Sequence, residues 1–428
     1  VRTYDETWNI MKNQLFIFSL ILVLGTNLFA QSLDINGYVR SYLGVLTNDT
    51  NDYSINQNTL DLKLKRVDDN VSFFANPYLV QTPNQDVRLG LREAYMDVYF
   101  NNMDLRIGKQ QIIWGKADGM FITDIVSPKD LGEFLLRDFD EIRSGITSLK
   151  ANYFLGDNTV EMVWIPTFTP TKMPDETSIW SRIPEFPLSI TIDESQKEIP
   201  GRLENSEGFV KFSGMSSLLD YEIMAGSMWD DDPTLHIVPI ITVDNPTPSG
   251  LMLIPIHHQL TLVGGSFSSE LGGVILRGEG AYYMGKQLSA LNPEQLNLPT
   301  SLLEKDYAHY LIGTDFSIGT TRLSTQFIQR AILDYDDSII QEELDNTMTF
   351  LANRTFLQET LTLQLFGYFG LNNEDALIRP SLTYDLADGF EINAGANIFI
   401  QNEDSENIGQ FGYYDDNDMV YVKVKYSF

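Results

Sequence analysis

The chain has no cysteine, only four histidines in 428 residues, and 29 basic residues against 59 acidic ones. The first absence excludes a disulfide framework, thiol catalysis and lipid attachment through an N-terminal cysteine. The shortage of histidine leaves little for a metal centre, because the adjacent His257 and His258 would point to opposite faces of a strand. His309 has Asp306 and several serines near it, but no nucleophile elbow and no phosphate-binding glycine loop accompanies it, so no catalytic residue, metal or cofactor is expected. A formal charge of −30 argues against nucleic acid as a partner. Beyond the N-terminal region there is no apolar run of the ~20 residues that a membrane helix requires, so any membrane-spanning part has to be built from strands.

The N-terminal region reads as an export segment. Met11 and Lys12 open a short basic stretch, residues 15–25 are apolar but too short to span, and Ala30 offers a small-residue cleavage position before Gln31. Residues 1–10 precede a natural start at Met11 and read as an upstream extension, 11–30 as a signal peptide, and 31–428 as the folded domain.

What the chain does have is alternation. In the final "VYVKVKYSF", Val420, Val422, Val424, Tyr426 and Phe428 share one face and Tyr421, Lys423, Lys425 and Ser427 the other. In a soluble sandwich that apolar edge would invite pairing with other chains; in a barrel it meets lipid, with the aromatic at the interface. Leu33, Ile35, Val39, Leu43 and Val45 alternate in the same way with Asp34, Asn36, Tyr38, Arg40 and Tyr42, and 12% of residues are aromatic, as interfacial girdles require. About eighteen such segments can be counted (sixteen is the nearest alternative), joined alternately by tight turns and by longer loops. The expected fold is an all-β, transmembrane, antiparallel up-and-down barrel with short periplasmic turns, long extracellular loops, and a lumen wide enough for an aqueous channel unless loops fold into it.

Residues 106–143 break the alternation and concentrate charge of both signs. Arg106, Lys109, Trp114, Lys116, Asp118, Asp124, Arg137, Asp138 and Arg143 are the candidates for a constriction or substrate path, on the expectation that this connection folds inward and that opposed charges at a narrow point tune permeation. The alternative is an ordinary loop whose charges pair locally. Residues 236–258 are unusually apolar for an outer loop, which implies packing on other loops, lining of the mouth, or strands extended above the membrane. The acidic stretches 334–346 and 401–418 are either simply solvated or able to gather cations; neither follows a calcium-loop pattern.

The run "GKQQIIWGKADG", then "DIVSPKDL", then "RDFDEIR", resembles a poorly characterised domain-of-unknown-function family of proteobacterial porin-like outer-membrane proteins, often encoded near export systems for lipids or hydrophobic compounds. The resemblance covers roughly residues 106–166 and implies the barrel and its outer-membrane location, without catalytic residues or a settled substrate. The terminal Phe428 resembles the signal by which outer-membrane barrels engage the barrel-assembly machinery. The expected function is passive or facilitated transport of small solutes. The alternatives are transport of apolar compounds or lipids, and a plugged surface-binding or adhesion barrel. Expected partners are outer-membrane lipid, the assembly machinery and the solute; nothing in the sequence marks a subunit contact.

Overall fold

The structure is a computed structural model that describes residues 33–83, 85–117, 119–138, 141–182, 188–242, 245–293, 298–405 and 407–428. The extension, the export segment and Asp118 lie outside the described residues.

Eighteen strands close into one barrel: β1 (Asp34–Leu46), β2 (Tyr53–Asp68), β3 (Val71–Gln81), β4 (Arg88–Tyr99), β5 (Met103–Gln110), β7 (Ile146–Leu155), β8 (Asn158–Ile165), β10 (Glu207–Met215), β11 (Asp220–Trp229), β14 (Gln259–Leu271), β15 (Val274–Asn292), β16 (Leu298–Ile318), β17 (Thr321–Ile332), β18 (Leu344–Phe356), β19 (Leu361–Gly370), β20 (Asp375–Ala387), β21 (Phe390–Ile400) and β22 (Met419–Ser427). Each pairs antiparallel with its neighbour, and β1 pairs with β22 from Tyr38↔Ser427 to Leu46↔Met419, so the sheet has no free edge. Closure satisfies every ladder group within the sheet, which is the condition for strands to cross hydrocarbon.

The alternation sorts residues inward and outward. Ile35, Val39 and Leu43 of β1 and Val420, Val422 and Tyr426 of β22 are exposed on the outer surface, whereas Arg40 and Tyr42 are buried in the lumen. Burial therefore runs opposite to that of a soluble protein: apolar side chains form the outer belt and the polar ones Asp61, Asp97, Glu279, Arg277 and Asn397 are enclosed. Tight turns close every hairpin at one end, and at the other only β19 and β20 are joined as tightly, by residues 371–374. At the β14–β15 turn Gly272 and Gly273 both have positive φ, 61° and 86°, the geometry a two-residue hairpin loop needs and that side chains resist.

The other end carries long connections with strands of their own: β6 (Gly132–Leu135), β9 (Ile190–Ile192), β12 (Thr234–Thr242) and β13 (Asn245–Ile256). The apolar stretch at 236–258 is the β12–β13 hairpin, with β9 added parallel to β13 in a separate three-stranded sheet. Ile237, Leu251, Leu253 and Leu298 bury together there, so much of its greasiness is consumed by packing. The β15–β16 hairpin is longer than its alternation suggested. A bulge between Tyr283 and Lys286, where Gly285 has a φ of 88°, marks the point beyond which 286–292 and 298–305 rise above the barrel to meet β12.

Candidate functional site

The connection from β5 to β7, residues 111–145, folds into the barrel and crosses it. Its first half is tied to β15: Glu279 accepts hydrogen bonds from the Lys116 N–H at 2.7 Å, the Thr123 N–H at 2.7 Å and the Thr123 hydroxyl at 2.8 Å. The Arg277 guanidinium donates to the Lys116 carbonyl at 3.0 Å, the Tyr283 hydroxyl to the Ile122 carbonyl at 2.6 Å and the Tyr368 hydroxyl of β19 to the Gly119 carbonyl at 2.9 Å. Trp114, Ile112, Ile122 and Val126 pack with Val163, Phe209, Met224, Leu260 and Leu262 from the wall, filling that side with an apolar plug.

The second half is held by charge. The Asp138 carboxylate meets Arg40 at 2.7 Å and Lys423 at 2.5 Å; Glu141 meets Arg40 at 3.0 Å and Arg92 at 2.8 Å and accepts from the Tyr38 hydroxyl at 2.8 Å. Burial alone would raise both carboxyls; Lys423 and Arg40 hold Asp138, and Arg40 and Arg92 hold Glu141, below the ordinary carboxylate range. The Arg379 guanidinium donates to the carbonyls of Leu135 and Leu136. Toward the outer end, Phe134 takes a left-handed φ of 52° and sets its ring 4.6 Å from that of Tyr414, among Trp180, Phe399 and Phe411. That aromatic cluster packs against β20–β22 toward the outer end, while farther in Arg379, Thr383, Asn393 and Lys425 of the same strands line open space.

Space remains along β1–β5, as three cavities stacked down the wall. The outer one, about 420 Å³, is lined by residues 53–57 of β2 with Arg88, Arg137 and Lys172. The middle one, about 130 Å³, is lined by Gln57 and Thr59 of β2 and includes Arg40, Arg88, Arg92, Lys109, Arg137, Arg143 and Lys172 against only Asp130 and Glu141. The inner one, about 650 Å³, is lined by Asp61 and Lys63 of β2, with Arg40, Arg92 and Glu141 shared with the middle cavity. Successive inward residues of β2 thus pass from one cavity to the next, and β3 descends in parallel through Thr82, then Val80 and Tyr78, then Asn76 and Phe74. The middle cavity, here called the neck, is the smallest of the three, with room for about four waters at ~30 Å³ each.

The sequence candidates divide among these parts. Lys109, Arg137 and Arg143 line the neck; Asp138 lines the inner cavity. Arg143 also pairs with Asp124 at 2.5 Å, and Asp124 faces a separate cavity on the far side of the loop. Arg106 stays on β5, paired with Asp97 at 2.6 Å and stacked on Tyr95, outside all three cavities. Lys116 serves through its backbone. Trp114 departs from the expectation: only 1% exposed, its indole N–H donating to Glu161 at 2.5 Å, it fixes the loop to β8 and meets no open space. Arg40, Arg88, Arg92, Glu141 and Lys172 were not singled out from sequence. Of these, Arg40 stands on the polar face of a two-faced strand, the one signal that offered it.

No family model matches the sequence, and no curated protein matches it. In three dimensions the chain is similar to outer-membrane channels: Acinetobacter baumannii OccAB2 at 9% identity and TM-score 0.54, over 93% of this chain and 98% of that one; Pseudomonas aeruginosa OccK8 (OprE) at 10% and 0.54, over 93% and 98%; and Pseudomonas aeruginosa OccK2 (OpdF), solved in complex with glucuronate, at 9% and 0.53, over 92% and 98%. By fold, therefore, the chain is an eighteen-stranded antiparallel barrel of the outer-membrane type.

Proposed function

We propose that this protein is an outer-membrane channel for small anionic organic solutes, which pass off-centre between the lumen-crossing loop and the β1–β5 wall. One observation carries the reading: in a chain of net charge −30, the smallest of the three adjoining cavities is lined by seven basic side chains and two acidic ones; five of the basic ones are paired with carboxylates, and Arg88 and Lys109 have no carboxylate partner among the described residues. A low-dielectric, positively lined neck lowers the barrier for an anion and raises it for a cation. The acidic outer loops, taken alone, suggest cation enrichment at the mouth, but permeation is decided at the narrow point. A neighbour of the same fold was solved with glucuronate, a sugar carboxylate of a size the outer and inner cavities accommodate.

The test is the reversal potential of the purified barrel in a planar bilayer under a potassium chloride gradient. The sign expected is that of anion preference. Arg88→Glu with Lys172→Glu changes the neck from seven basic and two acidic side chains to five and four, and moves the reversal potential toward cation preference while leaving the barrel folded. A barrel with no conductance, or one that is cation-selective before any substitution, overturns the reading.

A further inference from the structure

On the opposite side of the loop lies a second cavity of about 340 Å³, between the loop and β11, β14, β15, β16 and β17. Tyr283 lines it and bonds the Ile122 carbonyl, and Glu279 and Arg277 fasten the same part of the loop to β15.

Its charges are mostly spoken for. Asp230 pairs with Lys286, Arg330 with Asp345 at 2.8 Å, and Asp124 with Arg143 at 2.5 Å. Lys129 and two carboxyls, Asp231 and Asp232, line the cavity without an ion pair among the described residues. The Asp231 carboxyl has no side-chain hydrogen bond or ion pair among the described residues, and Lys129 lies over the Phe121 ring, 5.3 Å from its centroid, with no carboxylate partner among them. Each feels the other without contact: burial first of all holds the Asp231 carboxyl well above the usual carboxylate range, Lys129 pulls it down, and Glu207, Asp232 and Asp230 push it further up. A half-buried carboxyl and a nearby ammonium that do not meet are an unfinished pair, and partly desolvated charge is costly until a counter-charge arrives. Beside His309 and Gln341, the rest of the wall is apolar and aromatic, with Met228, Leu260 and Ile332 near Tyr307.

We propose that this lobe is a binding site for a small α-zwitterion with an apolar side chain, an aromatic or large aliphatic amino acid, whose ammonium sits on Asp231 and whose carboxylate sits on Lys129. The two ends of one ligand complete the two charges, and its side chain takes the apolar wall. A simple amine would satisfy only Asp231 and a simple carboxylate only Lys129, so the site discriminates against both. The site is independent of conduction through the β1–β5 column, and its test needs no current.

Titration calorimetry on the full-length barrel folded in detergent, with L-phenylalanine, phenethylamine and phenylacetate as probes, decides the matter. Phenylalanine is expected to bind, and both single-charge analogues to bind on the order of tenfold more weakly or not at all, a difference of about 1.4 kcal/mol. Asp231→Asn and Lys129→Gln should each weaken phenylalanine by a similar factor, Lys129→Gln should leave phenethylamine unchanged, and Asp337→Asn, an exposed carboxylate outside the pocket, should leave phenylalanine unchanged. Circular dichroism of the β-sheet, read on every variant, separates loss of the site from loss of the fold. The proposal fails if phenylalanine gives no binding heat, if phenethylamine binds as tightly as phenylalanine, or if folded Asp231→Asn binds phenylalanine as the parent does.

Discussion

Glu279 is the main wall anchor of the loop's first half. Its carboxylate takes three hydrogen bonds from Lys116 and Thr123, and each such charge-assisted bond contributes roughly 1.5–3 kcal/mol. Glu279→Ala is therefore expected to free the first half of the loop without opening the barrel, visible as new protease cleavage near residues 115–125 and as a noisier single-channel current. An unchanged cleavage pattern would show that the apolar plug around Trp114 suffices. A second single-residue prediction concerns Gly108, whose φ of 132° and whose absent Cβ, which would lie 2.3 Å from the Ala94 carbonyl oxygen, allow β5 to press against β4 just before the loop begins. Gly108→Ala should destabilise the barrel by about 1–3 kcal/mol, read as a lower temperature for loss of the folded band on gels. At this scale little was legible in the sequence. Lys116 and Glu279 are 163 residues apart, and no local pattern joins them.

The strands, by contrast, were legible almost completely. Alternation is strongest where one face must suit lipid and the other water, so all eighteen barrel strands stood out. The four that did not, β6, β9, β12 and β13, belong to outer connections that pack on one another, where both faces are partly buried and the alternation fades. The β12–β13 hairpin has its own cluster and lies outside the barrel sheet. Its removal, with 234–256 replaced by a short glycine-serine link, should leave heat-modifiable mobility and sheet content intact. The second half of the lumen-crossing loop makes a different prediction, in pH. Glu141 and Asp138 are held below their ordinary values of 4.5 and 3.8, so the stability they give is present above those values and is lost as pH falls through the lower, folded-state values. Channel current should stay quiet from pH 8 down to about pH 5 and become unstable only below about pH 4, once the carboxylates begin to take up protons.

At the scale of the whole molecule, the sign of the proposed selective element opposes the sign of the chain. Outer acidic loops act through solvent and are screened within about 10 Å at 0.1 M salt, whereas the enclosed basic neck is screened much less. The anion preference should therefore persist from 0.1 to 1 M potassium chloride, declining less than the influence of the loops; a preference that vanishes by 1 M would place the selective charges at the surface. Overall charge was plain from composition. The sign at the neck was not, because Arg40, Arg88, Arg92 and Lys172 are scattered over more than a hundred residues and only closure brings them to one wall.

Asp138 grips Arg40 of the first strand and Lys423 of the last, so one loop carboxylate rivets the weld line of the cylinder from within. Threading of the loop and zipping of the final seam become a single event: until the ends of the chain come together, the rivet has only half its hole. Asp138→Asn should leave the finished barrel's architecture unchanged yet speed its unzipping, so that unfolding in urea quickens while the end state keeps its shape.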